Sequence, residues 1–229
     1  MANADLLDIW NDAILNVGAG TAISATTEQS AEAASCARRY KGVVERLVRE
    51  TDWNCLRRRV ALDEVSAGAV WPPGWAYLYE YPADCLAIRG FDVGWAGYMP
   101  ATAIAYEVGD DSDAGKVIYM NVRDATLVYS SFALDLDEAA HEARFDASMR
   151  EALGWALAAA IAGSLTGNAQ VVANARVEAA RTLAEARAAN ANESAPNSMD
   201  TIPPDSLQVR GVIDTAVGAP FGPYWWRSF

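Results

Sequence analysis

Two stretches rich in aromatic residues sit between an amphipathic N-terminal third and an alanine-rich C-terminal third. That order limits the fold more than any other property of the chain. The first stretch reads Trp53-Asn54-Cys55-Leu56-Arg57-Arg58-Arg59-Val60-Ala61-Leu62, and the second runs from Trp75 to Ile88 through Tyr77, Tyr79 and Tyr81. Turn signals recur at Trp71-Pro72-Pro73-Gly74, Arg89-Gly90, Gly94 to Gly97 and Gly109 to Gly115. Between them lie strand-like pieces near 57–65, 77–81, 85–92, 103–108, 116–122 and 125–130. The last two read as a hairpin with a short turn. Short strands at this spacing predict a small antiparallel sheet or an open barrel.

The flanks follow helical periods. Leu6, Ile9, Trp10, Ala13, Ile14 and Val17 recur at spacings of three and four, predicting a helix over 5–17 that Gly18 and Gly20 end. A second helix is expected to start at Thr26 or Thr27, where Thr26-x-x-Gln29 resembles a capping box, and to run to about Glu50. Its apolar stripe is Ala33, Cys36, Ala37, Tyr40, Val44 and Leu47. Residues 137–165 and 168–190 predict an αα-hairpin turning near Gly167-Asn168, with alanines that favour helix and let helices approach closely. The expected fold class is α+β. It comprises a four-helix bundle from residues 1–52 and 131–190, an inserted antiparallel β module over 53–130, and an extended C-terminal arm over 191–229.

At 229 residues with 52% apolar side chains, the chain suits one domain with appendages. Its net charge of −12 disfavours attraction of the whole molecule to phosphate or anionic lipid. Cys36, Cys55 and Cys85 form no Cys-x-x-Cys pair and are odd in number, so reduced thiols and cytosolic synthesis are expected. Met1-Ala2-Asn3-Ala4-Asp5 lacks the basic start of a secretory signal. The apolar run Leu153–Leu165 falls short of the roughly 20 residues a membrane span needs. A soluble protein is expected.

The candidate chemistry is thin. His141, the one histidine, has Glu138 and Glu142 at helical spacing but lacks a second His or Cys for a metal, and a solvated helix face accounts for it better. No Ser or Cys motif surrounds it to make a triad. Asp110-Asp111-Ser112-Asp113 resembles a calcium loop only in carboxylate density, since Gly115 and Asn121 fall at the wrong offsets; a solvated hairpin turn fits better. Gly18-Ala19-Gly20 follows a helix and so is no dinucleotide fingerprint. No motif nominates two carboxylates for glycoside hydrolysis. The expectation is no catalytic residue, no metal ligand and no cofactor. Trp53, Trp71, Trp75, Tyr77, Tyr79 and Tyr81 suit a sugar-stacking platform less well than the packing of a small sheet.

Two features point to partners. Between positions 38 and 59, Arg38, Arg39, Lys41, Arg46, Arg49, Arg57, Arg58 and Arg59 face only Glu45, Glu50 and Asp52, a net +5 within a chain of −12. Such a patch can meet the acidic face of another copy; the alternative is a solvated helix with local pairs such as Glu45 with Arg49. No base-reading motif accompanies these residues, which disfavours sequence-specific DNA binding. The arm ends Phe221-Gly222-Pro223-Tyr224-Trp225-Trp226-Arg227-Ser228-Phe229 after a linker containing Pro196 and Pro203-Pro204. Phe221, Tyr224, Trp225, Trp226 and Phe229 are candidate anchors in a partner groove.

In the order of its parts, the chain resembles the head-to-tail adaptor, or tail tubular protein A, family of short-tailed bacteriophages. The matching features are a short amphipathic helix ending in glycine and a second helix leading into Trp53-Asn54-Cys55 and Arg59-x-x-Leu62. They continue with Trp75-Ala76-Tyr77, Tyr81-Pro82-Ala83-Asp84-Cys85-Leu86, a Val117–Val122 hairpin and paired alanine-rich helices, together covering roughly residues 5–190. The resemblance implies a structural virion protein of the tail or neck, assembled in the host cytoplasm, and not an enzyme. It implies a closed ring of about twelve copies beneath the portal protein. That ring would extend the channel through which viral DNA passes without sequence preference, and would seat a tail nozzle, needle or fibre protein. The bundle would meet the portal and neighbouring copies, the β module would face the distal tail, and no membrane would be engaged. The rivals are a virion-associated peptidoglycan hydrolase, a neck or head-completion protein of a long-tailed phage, and a monomeric cellular domain.

Overall fold

The computed structural model describes residues 4–18, 21–65, 72–94, 97–111, 115–133 and 142–193. They form a mixed α+β architecture of four helices and two antiparallel sheets.

Helix α1 (Ala4–Asn16) buries Leu6, Ile9, Trp10, Ala13 and Ile14, the predicted stripe. Helix α2 (Ala31–Glu50) buries Ala33, Cys36, Tyr40, Val43, Val44, Leu47 and Val48. It begins later than the Thr26–Gln29 pattern suggests. The Glu28 carboxylate turns back to accept from the Ser24 backbone N–H at 2.8 Å and from its hydroxyl at 2.9 Å. The cap is then Ser30, whose Oγ accepts from the Ala33 N–H at 3.2 Å.

Helices α3 (Ala147–Thr166) and α4 (Ala169–Asn192) both form, and Gly167 between them lies in the left-handed region at φ 61°. The expected helix over 137–165 is corrected at its start. Residues Glu142–Arg144 make a 3-10 turn, and Asp146 caps α3 by accepting from the Met149 N–H at 2.6 Å. Helix α3 is buried nearly all round, through Met149, Ala152, Leu153, Ala156, Leu157, Ala158, Ile161 and Ala162, and packs against both α1 and α2. Its alanines allow that close approach. Helix α4 adds Ala175 and Ala186 to the same apolar cluster.

One sheet has the order β1-β7-β3-β4, from β1 (Arg57–Ala61), β3 (Cys85–Val93), β4 (Gly97–Pro100) and β7 (Thr126–Ser131). The other has the order β2-β6-β5, from β2 (Tyr77–Glu80), β5 (Tyr106–Asp111) and β6 (Gly115–Met120). The expected hairpin over 116–122 and 125–130 is therefore wrong: β6 and β7 lie in different sheets. The intervening link is fastened to the start of β2. Asn121 accepts from the Ala76 N–H at 2.8 Å and donates to the Gly74 carbonyl at 3.1 Å. Ile118 and Met120 then join Leu127 and Tyr129 in one core between the sheets, with Tyr79, Phe91 and Val93.

The β5–β6 pair is the hairpin, closing at Asp111 opposite Gly115. Strand β4 is absent from the sequence expectation, because Gly97-Tyr98-Met99-Pro100 looks like the end of a turn. It pairs with β3, and Gly90 permits the approach: a Cβ there would lie 2.4 Å from the Met99 carbonyl oxygen. The helical cluster also takes in Trp53 and Leu56 before β1 and Phe132 after β7, so residues flanking both ends of the sheet region are buried in the helical core.

Candidate functional site

Of the candidate partner residues, Arg38 and Arg39 lie on the exposed side of α2, opposite its buried stripe. Neither makes an ion pair among the described residues. Their neighbours do. Lys41 pairs with Glu45 and Arg46 with Glu50, each at 3.9 Å and one helical turn apart, so Glu45 reaches back to Lys41 and not forward to Arg49.

Arg57, Arg58 and Arg59 occupy β1, an outer strand whose five residues are all exposed. Each meets a different carboxylate: Arg57 to Asp52 at 2.7 Å, Arg58 to Asp84 at 2.9 Å and Arg59 to Asp92 at 3.3 Å. The sequence excess of +5 thus becomes two surfaces, an open basic helix face and a basic strand with acids at its base. Phe221, Tyr224, Trp225, Trp226 and Phe229 lie outside the described residues, as do His141, Glu138 and Trp71.

The acids that organise β1 were not singled out by sequence. Asp84 accepts from Arg58 Nη1, from the Tyr129 hydroxyl at 2.9 Å and from the Ser131 hydroxyl at 2.7 Å. Burial alone pushes its carboxyl up, but the bonds from Ser131 and Tyr129 and the Arg58 charge outweigh that and hold it below the ordinary range. Tyr129 moves the other way, to about 12, through burial first and then the Asp84 bond and charge.

Arg89 on β3 was also missed. Its guanidinium donates to the carbonyls of Val48, Arg49 and Thr51 at the C-terminus of α2, and to Ser130 Oγ at 2.8 Å on β7. Cationic donors suit that helix end, where the last carbonyls have no partner within the helix. Asn190 of α4 closes the same seam, its Oδ1 accepting from the Asn54 N–H at 2.8 Å and its Nδ2 donating to the Asp52 carbonyl at 2.9 Å. Backbone acceptors leave no sequence signal, which is why neither residue stood out.

The aromatic residues serve packing. Trp53 is fully buried and its indole N–H donates to the Leu47 carbonyl at 3.0 Å. Tyr79 is buried with its hydroxyl donating to the Val122 carbonyl at 2.9 Å, and the Lys116 ammonium sits 3.5 Å over the Tyr81 ring.

Glu142 corrects another expectation. It is buried, not on a solvated helix face, and its carboxylate accepts from the Tyr40 hydroxyl at 3.4 Å. The reason is that residues 142–144 form a turn tucked beneath α1 and not a surface helix. Among the described residues no group of three or more His, Cys, Asp or Glu is placed to hold a metal ion, and no helix is long and apolar enough to cross a membrane. Cys36 is buried, which raises its thiol to about 12 and makes it a packing residue. A groove of about 440 Å³ lies between α2, α3 and α4, lined by Arg46, Leu47, Glu50, Ala156, Ala160 and Leu183. Comparison with protein-family models and with curated proteins returned no match for the chain.

Proposed function

We propose that the chain is a structural virion protein, a head-to-tail adaptor that forms a ring of about twelve copies beneath the portal. In this reading the four helices are a bundle into which the β module is inserted, and the C-terminal arm reaches a partner with its aromatic anchors. The observation that carries it is the division of apolar cores. Helices from both ends of the chain share one core, while the sheets between them enclose another, with Trp53, Leu56 and Phe132 fixing the joints. A module held at both ends by a helical body can present a second face to a second partner. That suits a part standing between the portal and a nozzle, needle or fibre protein.

The acidic surplus supports the same reading, because a wall of net negative charge repels passing DNA and lets it slide. The test mixes the purified protein with its cognate portal ring and images the mixture by electron microscopy. A second ring stacked on the portal is the expected result, and it gives the copy number directly. A protein that leaves the portal bare overturns the reading, and turnover of cell-wall substrate would then favour the hydrolase.

A further inference from the structure

Each sheet has two outer strands, and the four differ in what they offer to another chain. Strand β4 is four residues long and ends in Pro100, which has no N–H to donate. The outer side of β2 is already occupied. Glu64 bridges to Tyr79, Val65 donates to the Leu78 carbonyl at 2.9 Å, and Glu80 donates to the Asp63 carbonyl at 3.0 Å. That leaves β1 and β5. Among the described strands, β1 pairs only with β7 and β5 only with β6. An outer strand presents a row of unpaired backbone N–H and C=O groups, a template for another strand.

The charges on these two strands are opposite. β1 carries Arg57, Arg58 and Arg59, while β5 exposes Glu107 and Asp110. Each also exposes a valine, Val60 at 37% and Val108 at 39%. Like charges across a strand pair destabilise it and unlike charges stabilise it. Two β1 strands would set arginine against arginine, and two β5 strands would set acid against acid. Only β1 against β5 is favoured. Because those strands are different surfaces of one molecule, the contact is head-to-tail, the kind that closes into a ring when the rotation permits. The internal ion pairs of β1 do not use up its cations. A guanidinium has five donors, and the three side chains remain 34%, 45% and 59% exposed.

We infer that strand β1 of one copy adds to strand β5 of the next, so that a second copy of this chain is the partner of both edges. The inference rests on the ring reading and supplies its subunit contact. The test reads oligomer mass by mass photometry for the full-length wild type, for R57E/R59E, for E107K/D110K, and for the two variants mixed in equal amounts, each with a melting curve. The wild type should self-associate, and each variant alone should associate about tenfold more weakly or worse. The mixture should recover assembly, because the reversed β1 of one variant matches the reversed β5 of the other. Variants that assemble like wild type, or a mixture that stays dispersed, overturn the inference while leaving the ring reading standing.

Should R57E/R59E fail to fold, hydrogen exchange on the wild type decides the matter. Amides of 57–61 and 106–111 should gain protection together as concentration rises, and an oligomer that forms without that protection overturns the pairing. A wild type that stays monomeric at every concentration also overturns it, and the ring reading is then judged separately on the portal.

Discussion

The helical and β regions reach burial by different routes, and the difference shows what joins them. The helical core mixes alanines with large side chains: α3 brings Ala152, Ala156 and Ala162 together with Leu153, Leu157 and Ile161, and α1 and α2 add Trp10, Ile14, Tyr40 and Leu47. The β core is built from large ones, with Tyr79, Phe91, Leu127 and Tyr129 filling the space between two sheets. Alanines permit close helix packing but supply little apolar area each, so most of the buried area on the helical side comes from large side chains, among them those placed where the chain enters and leaves the sheets. Trp53 is the largest of these. The seam itself is polar, held by Arg89 and Asn190 through backbone acceptors. The two regions are therefore coupled by Trp53, Leu56 and Phe132 and by a few directed hydrogen bonds.

The largest expected effect comes from breaking that coupling at its apolar point. Trp53→Ala removes a fully buried indole and its hydrogen bond to the Leu47 carbonyl, a loss of about 3–5 kcal/mol. In urea unfolding, far-ultraviolet dichroism and tyrosine emission should shift together to lower denaturant. If the sheets keep their wild-type midpoint while the helices melt early, the regions are independent and the comparison breaks.

A smaller effect is expected at the polar point. Arg89→Ala leaves the final carbonyls of α2 and Ser130 Oγ without their donor, costing on the order of 2 kcal/mol. Arg89→Lys should recover only part of that, because an ammonium cannot span several carbonyls in the fork geometry of a guanidinium. Thermal melts of the two variants measure it. Full stability in the lysine variant would show that charge at the helix end matters and directed bonding does not.

How much of this was legible in the sequence depends on the range of each interaction. Helices α1 and α2 were legible because their stripes repeat every three or four residues and need no distant partner. The start of α2 was misplaced because Ser24 and Glu28 satisfy each other locally and compete with the cap at Thr26. Strand existence was legible through alternation and turns. Strand partners were not: β6 and β7 are separated by a short link, and only the anchoring of Asn121 to the start of β2 decides that they part company. β4 was hidden by its glycine and proline.

The candidate interface was half legible. The run of arginines in β1 is visible in any reading, but Asp84 and Asp92 reach it only through the β3 register. The separation of Arg38 and Arg39 from them likewise depends on where α2 ends.

The smallest expected effect sharpens the comparison by asking how the β region alone responds to acid. The Asp84 carboxyl is held below its unfolded value of 3.8, so it favours the folded state when ionised. The sign follows from linkage. That contribution is complete above the unfolded value and disappears as pH falls through the lower folded value. Asp84→Asn has no charge to lose, so wild type should melt higher than the variant at neutral pH and the gap should narrow below pH 3.8. Carboxylates elsewhere protonate in both proteins and cancel in the difference. Melting temperatures across a pH series give the gap directly. A gap that stays constant down through the carboxylate range would mean that Asp84 acts by shape and hydrogen bonding alone. The bond network with Arg58, Tyr129 and Ser131 would then hold the edge of the sheet without drawing on charge.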